Sequence, residues 1–139
     1  MNYLLDTNVC IALINGKPDI VRARFERVLS LESTIWVPSI VVFELRYGAA
    51  KSLRRESNQE RLGAFLRGPV DTLPFGDEDA AEAGEIRADL ERLGTPIGAY
   101  DVLLAGQARY RGWTLVTANV REFARVPALL WEDWAIKSA

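Results

Sequence analysis

Asp6 ends the short apolar run that opens the chain and is followed at once by Thr7 and Asn8. A carboxylate at the end of a buried strand is costly unless something pairs with it. Glu44 raises the same question inside "SIVVFELRYGAAKS", where helical spacing puts it on a stripe with Ile40, Tyr47 and Gly48, at a place expected to hold a core residue. Its nearest cations, Arg46 and Lys51, are not three or four residues away, so a local ion pair does not account for it. Asp101 lies in the first turn of a helix whose apolar face is Leu104, Ala105 and Ala108. A first-turn acid also serves as a dipole partner, and that reading stays open. Asn119 follows the strand-like "TLVT" directly, and by itself reads as a turn residue. Glu122, three residues further on, is placed to point back toward the same cleft.

If Asp6, Glu44 and Asp101 meet, their repulsion must be relieved by proton uptake or by a cation. A proton-sharing pair fits glycoside hydrolysis. Several acids without histidine fit Mg²⁺ or Mn²⁺ better, because these hard ions favour oxygen ligands and retain several waters. Such a site lowers the pKa of water and stabilises charge on a leaving oxygen, as phosphodiester cleavage requires. The expectation is a metal site of Asp6, Glu44 and Asp101.

Composition narrows the chemistry further. The chain has no histidine, which removes Ser-His-Asp and Cys-His catalysis and the usual zinc sites. Its single cysteine, Cys10, excludes an internal disulfide framework and reads as a small core residue. With 17 basic and 19 acidic residues the net charge is −2, so any attraction to nucleic acid must come from local patches. The 139 residues suit one domain, 1–139, and 49% hydrophobic content fills one core. Without a long apolar run or a basic leader, the expected location is the cytoplasm.

The elements that must position these acids follow from periodicity. Asn2 to Leu5 reads as a buried strand and Thr7 to Asn15 as a helix capped by Thr7 and ended by Gly16. A second helix after Pro18 buries Ile20, Phe25, Val28 and Leu29, with Arg22, Arg24 and Arg27 on its wetter side. Thr34 to Val37 is a strand, and the helix carrying Glu44 starts with Ser39 as its cap. The charged "KSLRRESNQE" separates it from a fourth helix that ends near Gly68. Val70 to Leu73 is a strand, and "GDEDAAEAGEIRADLERLG" is an amphipathic helix with Ala83, Ile86, Leu90 and Leu93 on one face. A helix over "AYDVLLAGQARYR", a strand at Thr114 to Thr117, a turn at "NVREFARV" and a strand at Leu129 to Trp131 complete the chain. Such alternation predicts an α/β fold with a mostly parallel sheet covered on both faces, and a site beyond the carboxyl ends of its strands. The acids other than Asp6, Glu44, Asp101 and Glu122 read as surface, with Arg87 and Glu91 paired at i+4.

"LLDTNVCIAL", "PSIVVFELRYGAAKS", "GTPIGAYDVLLAGQA" and "LVTANVREFARVPALLWEDW" resemble, in order and spacing, the PIN-domain ribonuclease toxins of VapBC toxin–antitoxin pairs. The resemblance covers essentially the whole chain. It implies a PIN fold and a Mg²⁺- or Mn²⁺-dependent endoribonuclease with Asp6, Glu44 and Asp101 as the acidic metal site. It also implies that Thr7 and Asn8 support the first acid, and that Asn119 fills the fourth polar position. Many family members carry Asp there, and Asn119 brings no charge, so Glu122 is the candidate to supply the missing carboxylate or accept a proton. The implied partners are a VapB-like antitoxin whose C-terminal segment lies in a groove, a structured RNA such as a tRNA or rRNA loop, a second copy in a homodimer, and DNA only through the antitoxin. Arg46, Lys51, Arg54 and Arg55 are placed to grip phosphates beside the scissile bond, or else form a solvated surface.

Two other classes fit parts of the pattern. A strand-end Asp serves as nucleophile in haloacid-dehalogenase-like phosphatases, which need a second Asp where Asn8 stands, and as phosphate acceptor in receiver domains, whose neighbouring acids and later Lys are missing. A PIN-like module that binds RNA or a protein without cutting it is the non-enzymatic alternative. Metal-dependent turnover separates it from a nuclease.

Overall fold

Short apolar segments separated by amphipathic stretches long enough to cross back over a sheet produce alternating strands and helices. The computed structural model describes residues 1–136. Its elements are β1 (Asn2–Leu5), α1 (Thr7–Asn15), α2 (Asp19–Ser30), β2 (Thr34–Pro38), α3 (Ser39–Lys51), α4 (Arg55–Leu66), β3 (Asp71–Leu73), α5 (Asp77–Arg92), α6 (Ala99–Arg111), β4 (Thr114–Val116), α7 (Val120–Phe123) and β5 (Leu130–Glu132). All strand pairs are parallel, in the order β3-β2-β1-β4-β5.

Strand order explains where a site can form. From β1 the chain moves to β2 and β3 in one direction, then returns past β1 to β4 and β5. Right-handed crossovers in opposite directions put α1 to α4 on one face and α5 to α7 on the other. The two connections diverge between β1 and β4, and the crevice opens beyond the carboxyl ends of those strands. Central β1 has covers on both sides, so Tyr3, Leu4 and Leu5 are all buried. Cys10 is wholly buried in α1, as expected of a core residue.

The helix carrying Asp101 is locked in place at both ends. Gly112 terminates α6 in the left-handed region at φ 67° and donates its N–H to Arg109 O. Midway, Gly106 meets Ala83 of α5 so closely that a Cβ at 106 would sit 2.8 Å from the Ala83 backbone nitrogen. Only glycine permits that approach.

Several local expectations are corrected. Thr7 is not the cap of α1; Asp6 is, accepting from the Val9 N–H. Ser39 is the first residue of α3, after Pro38, and makes no side-chain cap. The charged stretch "KSLRRESNQE" is less of a break than expected, since α4 already begins at Arg55 within it. Leu93 leaves the apolar face of α5 and is 70% exposed, because the helix has ended at Arg92. Val70, Thr117 and Leu129 lie just outside their strands, and β5 extends to Glu132. Nor is Asp79 a surface acid. It is fully buried, accepts from the Gly76 N–H at 2.9 Å, pairs with Arg111 and lies 3.5 Å from the Gln107 amide nitrogen. Burial raises its pKa, but Arg111, the Gly76 N–H and Gln107 outweigh this and hold the carboxyl below its ordinary 3.8.

Candidate active site

Asp6 stands one residue beyond β1, at the crevice. Its N–H still joins the sheet, donating to Val116 O at 3.1 Å, so the backbone there is as fixed as the strand. Both carboxylate oxygens are aimed: Oδ1 accepts from the Val9 N–H at 3.0 Å and Oδ2 from the Thr117 hydroxyl at 2.5 Å. The Asp6 side chain therefore caps α1 and faces β4 at once. Thr7, released from capping, donates its hydroxyl to Glu44 Oε1 at 2.9 Å.

Glu44 arrives from α3, but its stripe is not the core stripe. Val41, Leu45 and Ala49 are buried, whereas Phe43 and Tyr47 are exposed and Glu44 itself is half-buried. The acid sits at the boundary between core and solvent, where it can face a cleft. Asp101, third residue of α6, comes from the opposite layer, above the buried Leu104, Ala105 and Ala108. Asp6, Thr7, Asn8, Glu44, Asp101, Leu104 and Asn119 line one cleft of about 170 Å³. Asn119 lies at the start of α7, its N–H held by the Thr117 hydroxyl at 2.9 Å. Its side-chain amide donates to Glu122 Oε2 at 2.8 Å and reaches Asp101 Oδ2 at 3.5 Å. Glu122 does not line the cleft; it touches it through Asn119 and Asp101.

Crowding of acids shows in their titration. Burial, then hydrogen bonding to and repulsion from Glu122, with Asp6 and Glu44 behind them, push Asp101 up to about 7. Burial likewise raises Asp6 above 3.8, with Glu44 adding to the rise, although the Thr117 and Val9 hydrogen bonds oppose it. Glu122 moves the other way, held below its ordinary value by the Asn119 amide and by Asp101, with Arg125 and Arg121 contributing. Without a cation this site therefore favours binding a proton.

The donor set suits a hard divalent ion: carboxylate oxygens at the mouth of a fixed crevice, no sulfur and no imidazole. Among the described residues no three Asp or Glu side chains converge closely enough to enclose an ion by themselves. Mg²⁺ does not require that, because it is bound by one or two carboxylates and keeps water in its other positions. An ion there would neutralise the charge that otherwise drives Asp101 toward protonation.

Thr117 is the participant that periodicity did not single out. Its signal was a hydroxyl at the end of "TLVT" in a strand otherwise buried throughout, and it is itself fully buried. A separate groove of about 270 Å³ starts at Glu44 and runs between α1, α3 and α4 over Ile11, Ile14, Leu45, Gly48 and Leu62.

Comparison with known proteins follows the same geometry. The PIN domain model matches residues 3–129. The chain is 42% identical over 134 residues to the tRNA(fMet)-specific endonuclease VapC of Salmonella typhimurium, spanning 96% of this chain and 98% of that one. It is 41% identical over 134 residues to ribonuclease VapC2 of Rickettsia felis, with 96% and 98% covered. Among solved structures, a chain of VapBC2 from Rickettsia felis bound to a DNA fragment from their promoter superposes with a TM-score of 0.90 at 40% identity, covering 96% of this chain and 99% of that chain.

Proposed function

The chain belongs to the PIN-domain family, among the VapC ribonuclease toxins of VapBC systems, and from that premise we propose a Mg²⁺- or Mn²⁺-dependent endoribonuclease whose ion is held by Asp6, Glu44 and Asp101. The observation that carries this reading is the convergence of three acids from β1, α3 and α6 on one crevice, with Asp101 raised to about 7. A bound divalent ion supplies Lewis-acid stabilisation of charge at the scissile phosphate and activation of water. The chain's own residues do the rest. Thr117 and the Val9 N–H orient Asp6, Thr7 orients Glu44, and the Asn119 amide lies between Asp101 and Glu122. Glu122, at the solvent side of this group, accepts a proton during cleavage. An active Glu122→Gln variant with unchanged metal dependence would remove that role.

The printed specificity of the Salmonella relative makes initiator tRNA the first substrate to try, with other tRNA or rRNA loops behind it. A VapB-like antitoxin inhibits the toxin by laying a segment in the groove that starts at Glu44, and contacts with DNA are made through that antitoxin. The working unit is a homodimer. Among the described residues no helix is long and apolar enough to cross a membrane, and the RNA substrate places the activity in the cytoplasm.

The test is incubation of purified, antitoxin-free protein with initiator tRNA and with total bacterial RNA, in Mg²⁺, Mn²⁺ or EDTA, beside Asp6→Asn. Discrete new RNA ends that need the metal and vanish in Asp6→Asn support the proposal. Tight RNA binding that is equal in EDTA and Mg²⁺, without cuts, supports a non-catalytic module instead.

A further inference from the structure

Glu44 divides the surface of α3. On one side lies the apolar groove; on the other an exposed aromatic ridge has no role in the acid cleft. Tyr47 lies three residues from Glu44 and four from Phe43, and Lys51 lies four beyond Tyr47, so these side chains form one line along the helix. Lys51 Nζ stands 4.7 Å from the Tyr47 ring centroid. From the opposite layer Tyr100, the residue before Asp101, meets Phe43 edge to face with centroids 5.9 Å apart. The Phe43 and Tyr100 contact thus spans the same gap between α3 and α6 as the acids Glu44 and Asp101, one residue along each helix. Phe43, Tyr47 and Tyr100 are 54%, 58% and 48% exposed.

Three aromatic rings left in water beside a phosphodiester-cutting cleft need an explanation, since nothing in the core requires them there. The charge around them is basic. Glu44 is the sole acid of α3, whereas Arg46, Lys51, Arg54 and Arg55 are all exposed along or just beyond it. Rings that stack bases, interleaved with cations that meet phosphates, are the two components of a single-strand binding surface. Interface cores between protein copies are depleted in lysine, which argues against a second copy as the occupant.

We propose that Phe43, Tyr47 and Tyr100 form a stacking platform for unpaired bases of the RNA flanking the scissile phosphate, with Lys51 and Arg46 meeting the adjoining phosphates. This rests on the ribonuclease reading of the cleft and adds to it a subsite and the side from which RNA enters. RNA then lies on the ridge side of Glu44, leaving the apolar groove to another ligand. Unpaired bases are the form a loop presents, so the platform selects loops and single strands over continuous duplex.

The test measures binding of a short labelled single-stranded oligoribonucleotide by fluorescence anisotropy in EDTA, where no cutting occurs, with sedimentation of the same samples. Parent protein is compared with Phe43→Ala, Tyr100→Ala, Phe43→Leu and Tyr100→Phe. Removing either ring is expected to weaken binding about fivefold to a hundredfold. Phe43→Leu, which keeps apolar bulk without a ring, should weaken it too, and Tyr100→Phe should bind like the parent. Equal binding by all four variants overturns the proposal while leaving the ribonuclease intact. So does a change of oligomeric state in the alanine variants, with Phe43→Leu still assembled and RNA binding unaltered, because the face then belongs to a second copy. Parent protein that neither binds nor cuts RNA defeats the ribonuclease reading and the platform together.

Discussion

Thr117 donates its hydroxyl to Asp6 Oδ2 at 2.5 Å, joining residues 111 positions apart in sequence across the β1 and β4 boundary. The bond favours the ionised form of Asp6 and fixes which lone pairs face the cleft. Thr117→Val removes the donor while keeping the shape. Groups that hold a metal-binding carboxylate in this way change affinity about 10- to 100-fold when lost. The expected outcome is cleavage that needs correspondingly more Mg²⁺ and recovers at saturation. A metal titration that is superimposable on the parent would show that Thr117 serves only the fold.

The raised pKa of Asp101 has a definite consequence for the metal-free protein. Folded, the group binds its proton up to about 7; unfolded, it releases it near 3.8. Between those values the folded state holds more protons, so this contribution to stability is fully present below 3.8 and is lost as pH rises through about 7. Asp6, also raised, acts in the same direction. Mg²⁺ should therefore raise the melting temperature more at pH 8 than at pH 5, where it competes with a proton. An equal Mg²⁺ shift at both pH values would separate these acids from the metal.

Asp79 has the opposite sign. Its folded pKa is depressed, so its contribution is present above 3.8 and lost as pH falls through the lower folded value. Acid unfolding of the parent should include this step, and Asp79→Asn should flatten the acid limb. Asp79→Ala strands the Arg111 charge at the α5 and α6 interface and should cost about 3 kcal/mol by denaturant titration at neutral pH. A loss within experimental error would mean that Arg111 finds water or its neighbouring rings instead.

Gly106→Ala tests the close approach of α5 and α6. The new Cβ would lie 2.8 Å from the Ala83 nitrogen and 2.7 Å from the Ala83 Cβ. Overpacking of this kind costs about 1–3 kcal/mol, against a small gain in helix propensity. Adding Ala83→Gly removes the methyl clash but not the backbone clash, so the double variant should recover only part of the loss. Full stability in the single variant would show that the two helices separate freely.

Local sequence was sufficient for the elements. Period-two and period-3.6 patterning, glycine at helix ends and apolar strands too short for anything but a buried parallel sheet all act within a few residues, so the α/β order is legible without coordinates. The acids were legible as anomalies, because Asp6 and Asp101 interrupt apolar patterns whose other members are indeed buried. What tertiary structure alone decided was partnership. Whether Asp6 or Thr7 caps α1 depends on Thr117 and Glu44, brought in from β4 and α3. Asp79 looked like any acid in a helix's first turn until Arg111, 32 residues away, was laid across it. The Phe43 and Tyr100 ridge is likewise invisible to periodicity, since each ring belongs to a different layer. Patterning reports which face of an element is dry. Which charges and rings meet across the crevice follows from the reversal of sheet order between β1 and β4, and that is set by long-range packing.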